Sequence, residues 1–275
     1  MSLTLMYITN DSKVAKIAET AGVDRIFVDM ETIGKQERQG GMDTVQSKHT
    51  FSDICNIKKT ISKAELLVRC NPIHDNSAEE IKKIVECGAD IIMLPYFKTV
   101  QEVEKFITFV GKRAKTMLLF ETPESVELVD EILEITGIDE VYIGLNDLSL
   151  GYGMNFMFIP LADGTVERLC LKFRNNNLPY GFGGIAAIGT GTLPAEAILK
   201  EHYRLGSSSV ILSRSFCNYE KLNDICKVQK IFTKALREMR EKEAEIEVYS
   251  KYFYDNVKLV KDKVKMISET IGERK

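Results

Sequence analysis

Eight short apolar runs recur along the chain, at residues 3–8, 25–30, 65–70, 90–95, 116–121, 140–144, 178–186 and 208–212. Their interiors are nearly continuous Val, Ile, Leu, Met and Phe rather than an apolar–polar alternation, which marks strands buried on both faces. Such strands belong to a parallel sheet covered by helices, and helical segments separate these runs. Eight strand–helix units within 275 residues predict a (β/α)8 TIM barrel, with an open doubly wound sheet as the competing arrangement.

Local signals set the helix ends. Asp11 or Ser12, Asn76 or Ser77, and Thr99 stand where N-caps are wanted, Pro123 suits a first turn, and Gly22 and Gly88 suit C-terminal stops. The barrel is expected over about residues 3–215 of a single domain spanning 1–275, with a helical extension over about 220–272. No Gly or Pro interrupts the chain from Ser207 to Ile271. That tail reads either as a solvated surface helix or as an arm laid on a neighbouring subunit, because Tyr249, Tyr252, Phe253, Tyr254, Leu259 and Val260 want a cover.

The 44% apolar content is that of a globular protein. A net charge of −3 argues against nucleic acid or a membrane surface as partner. No apolar run approaches the ~18 residues of a membrane span, and no signal peptide opens the sequence. The six cysteines form no C-x-x-C pair and read as buried, reduced thiols of a cytoplasmic protein.

In a barrel, the C-terminal strand ends carry the chemistry. Those positions hold Asp29, Glu31, Arg69, Asn71, Glu121 and Asp147. Glu121 and Asp147 close successive strands, so their carboxylates would converge, and a hard divalent cation takes oxygen ligands of this kind. The polar loop after the second strand adds Lys35, Arg38, Lys48 and His49; its cations read as solvated charges or as contacts for an anionic substrate.

Together, the segments 21–31 (AGVDRIFVDME), 68–72 (VRCNP), 88–95 (GADIIMLP), 120–122 (FET) and 137–149 (GIDEVYIGLNDLS) resemble the HpcH/HpaI aldolase and citrate lyase β-subunit superfamily. The resemblance runs in order over roughly residues 14–215. It implies a phosphoenolpyruvate/pyruvate-type barrel and a carbon–carbon lyase, aldolase-like or citrate-lyase-like, acting beside a 2-oxo acid or related carboxylate through an enolate. By the same resemblance, Glu121 and Asp147 would ligate Mg2+ or Mn2+, and Arg69 would hold the enolate oxygen. Backbone N–H groups of Leu145, Asn146 and Asp147 would grip the substrate carboxylate, Asn71 would add a contact, and the protein would be a homo-oligomer, a trimer or hexamer.

The chain also departs from the family pattern. Thr32 stands where the family's proton-moving His follows Asp-x-Glu, Leu145 stands where Pro is usual, and the connection after strand four is short. His49 is the candidate replacement base. The departures leave open a relative that binds metal and a small carboxylate without turnover. The glycine-rich stretch 181–192 leaves open a phosphosugar-type barrel enzyme with an anion cradle.

Overall fold

The computed structural model describes residues 2–35, 49–213, 216–217, 224–248 and 253–273. Eight parallel strands close into a barrel in chain order: β1 (Thr4–Ile8), β2 (Arg25–Asp29), β3 (Glu65–Arg69), β4 (Ile91–Leu94), β5 (Lys115–Phe120), β6 (Glu140–Ile143), β7 (Tyr180–Ile185) and β8 (Ser209–Leu212). Closure is made by β8 against β1, in register from Thr4↔Ser209 to Tyr7↔Leu212. The expected (β/α)8 TIM barrel is therefore the fold, and the open sheet is not.

Around it lie α1 (Ser12–Ala21), α2 (Phe51–Thr60), α3 (Ser77–Glu86), α4 (Val100–Val110), α5 (Pro123–Glu127), α6 (Val129–Leu133), α7 (Leu145–Gly151), α8 (Ile159–Ala162), α9 (Thr165–Asn175) and α10 (Ala195–Leu205). Several expected caps are present. Asp11 accepts from the Lys13 and Val14 N–H groups, Gly22 ends α1 at φ 108°, and Thr99 and Glu102 form a capping box.

Alternation within each strand sorts the side chains into two cores. Outward residues such as Ile26, Val28, Leu66, Val68 and Leu118 pack against the helices. Inward residues Met6, Phe27, Leu67, Ile91, Met93, Met117, Leu119 and Tyr142 fill the barrel. At the N-terminal mouth the same inward positions are charged. Arg25 donates to both Glu140 oxygens at 2.7 Å and to Glu65 at 2.9 Å, and Lys115 reaches Glu65 at 2.7 Å. This ring closes the bottom of the barrel with paired charges.

Tyr142 is the largest interior side chain, and Gly181 on the next strand makes room for it. A Cβ at Gly181 would lie 2.5 Å from Tyr142 Cε2 and 2.4 Å from the Ser209 carbonyl oxygen. The Tyr142 hydroxyl donates to the Gly183 carbonyl at 2.7 Å and accepts the Ile211 N–H at 2.9 Å, tying β6 to β7 and β8.

The tail forms two helices that cover this chain's own barrel. In α11 (Ile225–Val248), Val228, Phe232, Leu236 and Met239 are buried, and Phe232 meets Tyr7 edge-on at 4.8 Å. Glu243 accepts the Leu3 N–H at 2.8 Å, and Arg240 donates to the Leu3 carbonyl. In α12 (Phe253–Gly272), Asn256 donates to the Ala197 carbonyl and to Glu201, with Val260 and Val264 buried beside it. A wholly solvated surface helix is therefore not what these residues form, since one face of each helix is buried on the barrel. Tyr254, Leu259 and Met266 remain exposed on α12, while Tyr249 and Tyr252 lie outside the described residues.

The cysteine expectation needs correction. Cys55 on α2 and Cys87 at the end of α3 form a disulfide, with Cα atoms 4.7 Å apart and a sequence separation of 32. The helix layer sets these two elements side by side, a proximity that spacing alone does not reveal. Cys70, Cys170 and Cys217 are buried free thiols, whereas Cys226 is exposed. Among the described residues, no helix is long and apolar enough to cross a membrane.

The fit between Tyr142 and Gly181 yields a paired test. Gly181→Ala is expected to cost about 1–3 kcal/mol in urea denaturation, the usual penalty for overpacking a filled core. Gly184→Ala meets nothing closer than 3.6 Å, so it is expected to stay within about 0.5 kcal/mol of the parent.

Candidate active site

The C-terminal rim is built from the same inward positions. Asp29 and Arg69 end β2 and β3 and are in register with one another. Arg69 donates from Nε to Asp29 Oδ1 and from Nη2 to Asp29 Oδ2, both at 2.8 Å, and its Nη1 lies 3.3 Å from Glu31 Oε2. The guanidinium also stands 5.7 Å from the centre of the Phe27 ring. Lys35 completes the cluster, donating to Asp29 Oδ2 at 2.7 Å and lying 3.6 Å from Glu31 Oε2. Asp29, Glu31 and Lys35 are all buried, at 2%, 2% and 5% exposure.

Burial by itself would raise the Asp29 pKa, but the adjacent Arg69 and Lys35 charges overcome this and hold the carboxyl well below its usual range. Burial works against the Arg69 charge too, and the carboxylates of Asp29, Glu31 and Glu121 outweigh it, so the guanidinium is held firmly protonated. Glu121 is therefore close enough to act on Arg69 electrostatically.

The loop that delivers Lys35 is locked by Asn71. Its Oδ1 accepts the Thr32 N–H at 2.8 Å and the Ile33 N–H at 3.0 Å, and its Nδ2 donates to Glu80 at 2.9 Å. Glu80 in turn pairs with His74 Nε2 at 2.8 Å. Asn71, taken from the sequence as a substrate contact, thus holds the loop after β2 through Oδ1 and meets Glu80 of α3 through Nδ2. Arg38 and Lys48 lie outside the described residues.

His49 also faces this cluster. Its Nδ1 accepts the Asp29 backbone N–H at 2.9 Å, which fixes the neutral tautomer with the proton on Nε2. Burial holds its pKa below the usual imidazole range. A second proton can enter only at Nδ1, at the expense of that backbone bond, so this imidazole is arranged to donate from Nε2 rather than to act as a base.

Glu121 immediately follows β5. Its Oε1 accepts the Tyr96 N–H at 3.0 Å, and Tyr96 adopts φ 48°, the left-handed region that a tyrosine rarely enters. A Cβ at position 144 would fall 2.6 Å from Glu121 Oε2, so only glycine leaves that oxygen its space. Gly144 is the N-cap of α7, and Asp147, 8% exposed, sits in the first turn of that helix. Asp147 is therefore not at a strand end, as the sequence pattern suggested: β6 stops at Ile143 and the chain turns into a helix. Glu121 bears on Arg69 electrostatically, and Asp147 lies in the first turn of the helix whose N-cap, Gly144, abuts Glu121.

Part of the glycine-rich stretch lies in β7, and beyond it the Gly189 N–H donates to Glu196 in the first turn of α10 at 2.8 Å, so this backbone donor is bonded to a carboxylate of the chain itself.

Replacing Asp29 tests the cluster's role in stability. Asp29→Asn leaves Arg69 and Lys35 without the carboxylate they share, and about 3–5 kcal/mol should be lost in urea denaturation at pH 7. Because the folded pKa is depressed, this contribution is fully present above the unfolded value of about 3.9 and fades as pH falls below it. The gap between wild type and Asp29→Asn is expected to narrow from pH 5 toward pH 2.

The fold is shared with solved structures. The HpcH/HpaI aldolase from Desulfitobacterium hafniense DCB-2 is 17% identical, with a TM-score of 0.60 over 87% of this chain and 93% of that one. An HpcH/HpaI aldolase/citrate lyase family protein from Burkholderia cenocepacia J2315 is 14% identical, with a TM-score of 0.62 over 83% of this chain and 95% of that one. At these identities the likeness is one of fold. No curated protein matches the chain in sequence. The sequence profile of the HpcH/HpaI aldolase/citrate lyase family matches residues 3–156, more than half of the 275, and the chain belongs to that family.

Proposed function

We propose that this protein is a divalent-metal-dependent carbon–carbon lyase that cleaves or forms the bond beside a 2-oxo acid or related acid through an enolate. The observation that carries the reading is the buried Glu121, which abuts Gly144 at the head of α7 while its charge bears on Arg69. Family membership supports the lyase class.

Glu121 and Asp147 would hold Mg2+ or Mn2+. The residues fit such an ion. Glycine at position 144 leaves room for Glu121 Oε2, and Glu121 and Asp147, both buried acids, follow the C-terminal ends of β5 and β6. Among the described residues, no three His, Cys, Asp or Glu side chains gather to hold a metal. A pair of carboxylates that leaves room for water and substrate oxygens is the donor set Mg2+ favours. When bound, the cation supplies Lewis-acid polarisation of a carbonyl oxygen.

The chain's own groups supply the rest. Asp29 and Glu31 fix Arg69 by its Nε, Nη1 and Nη2 atoms, so the guanidinium needs no reorganisation to meet negative charge developing on an enolate oxygen. First-turn N–H groups of a helix have no intrahelical acceptor, and those of Leu145, Asn146 and Asp147 in α7 suit a substrate carboxylate. His49 can donate a hydrogen bond from Nε2.

A second reading is binding of metal and carboxylate without turnover. It is favoured by the placement of Thr32, whose N–H and hydroxyl both face Asn71, together with the committed Nδ1 of His49. The phosphosugar reading is weakened where the Gly189 N–H, one of the backbone donors it would use, is bonded to Glu196.

Calorimetric titration with Mn2+ tests the metal site. Glu121→Gln and Asp147→Asn should each weaken Mn2+ binding by more than the ~10–100-fold typical of losing a supporting contact around a metal. Wild-type affinity in both variants would rule the site out. Arg69→Lys should retain Mn2+ binding yet lower kcat for pyruvate-releasing cleavage by about 10²–10³, since a point charge cannot replace the fork. Mn2+ and oxalate binding with no turnover on either aldol or CoA-thioester substrates would establish the second reading instead.

A further inference from the structure

Lys35 reaches the barrel rim from the turn after β2. Gly34, at φ 71°, reverses the chain, and the Thr32 and Ile33 N–H groups are both held by Asn71 Oδ1, so the side chain is delivered inward. Its ammonium is 2.7 Å from Asp29 Oδ2 and 3.6 Å from Glu31 Oε2. A buried lysine gives up hydration and rotamer freedom, so a loop lysine settles in such a place only when carboxylates receive its charge. Asp29 Oδ2 is shared, accepting from Arg69 Nη2 at 2.8 Å on one side and from Lys35 on the other. The lyase scheme above assigns this ammonium no part.

We propose that Lys35 is a positioning residue for anion binding: it draws on the carboxylates that grip Arg69, and so keeps the guanidinium able to hold an oxygen of a 2-oxo acid. The inference rests on the proposed metal and 2-oxo acid site and adds the residue that sets its charge. Without Lys35, Arg69 faces Asp29 and Glu31 with one positive charge fewer beside it. Its N–H groups are drawn further toward them, and an incoming carboxylate meets one more unit of negative charge. Arg69 and Lys35 thus divide the work: the first meets the substrate, and the second offsets the acids that hold the first in place.

This division gives opposite responses for cation and anion, which a merely structural role does not. Mn2+ is titrated alone, and oxalate is titrated at saturating Mn2+, into wild type, Lys35→Met and Lys35→Arg. Removing one positive charge in Lys35→Met should weaken oxalate binding about tenfold while Mn2+ affinity holds or rises. Lys35→Arg should bring oxalate binding back to within about threefold of wild type. Lys35→Met combined with Glu31→Gln restores the charge without the lysine and should recover most of the oxalate affinity.

Oxalate binding unchanged in Lys35→Met overturns the proposal, and so does a parallel loss of oxalate and Mn2+ affinity. If Lys35→Met does not fold, the double variant decides: near wild-type oxalate affinity supports charge compensation, and weak oxalate binding with intact Mn2+ binding overturns it. A wild-type protein that binds neither Mn2+ nor oxalate sinks the lyase reading and this inference with it.

Discussion

Inside a closed barrel, each strand can offer only every second residue to the interior, and this alternation governs both ends of the molecule. On β2 it presents Arg25, Phe27 and Asp29 in turn; on β3, Glu65, Leu67 and Arg69. The middle layer must be apolar and must fill the space, which is why Tyr142 is matched by Gly181. The end layers are free to be charged. One register therefore yields a salt-bridged plug at the bottom and a polar rim at the top, and shifting any strand by one residue would exchange its core and helix-facing sets.

Much of this was legible in the sequence. Near-continuous apolar runs revealed strands buried on both faces, and Asp11, Gly22, Thr99 and Pro123 marked helix ends where the structure has them. Glu121 and Arg69 were also readable, because a charged group that closes an apolar run must face either the rim or the helix layer, and the helix layer is apolar. Asp147 was placed correctly along the chain but on the wrong element, since the short α7 carries no long apolar period to announce it. The burial of Lys35 was not legible, because a loop lysine is ordinarily solvated. It depends on Gly34 and on Asn71 binding two N–H groups, and both are tertiary facts. The Cys55–Cys87 pairing was hidden for the same reason.

The histidine question turns on a hydrogen bond rather than on distance. His49 does reach the Asp29 segment, as a base standing in for the family histidine should. It arrives with Nδ1 already accepting the Asp29 N–H, and burial disfavours its charged form. Proximity alone would have marked it as a base, whereas the tautomer makes it a donor. A neutral donor of this kind can stabilise negative charge through a hydrogen bond from Nε2, and leaves the proton transfer itself to another group.

The arginines at the two ends of the barrel show what distinguishes a site from a strut. Arg25 gives Nε to Glu65 and both terminal nitrogens to Glu140 in hydrogen bonds of 2.7–2.9 Å, across a ring that spans three strands of the barrel floor. Arg69 gives Nε and Nη2 to Asp29, but its Nη1 meets Glu31 only at 3.3 Å, and Asp29 is shared with Lys35. A guanidinium has five N–H donors in a rigid fork. When neighbouring carboxylates are partly satisfied by a second cation, that fork stays oriented without being used up. A fixed charge that is already desolvated acts on a developing enolate more strongly than one that must first shed water. A second cation stands beside each arginine, since Lys115 shares Glu65 with Arg25 as Lys35 shares Asp29 with Arg69; what separates them is the grip, which takes all three nitrogens of Arg25 at 2.7–2.9 Å but leaves Arg69 Nη1 at 3.3 Å from Glu31.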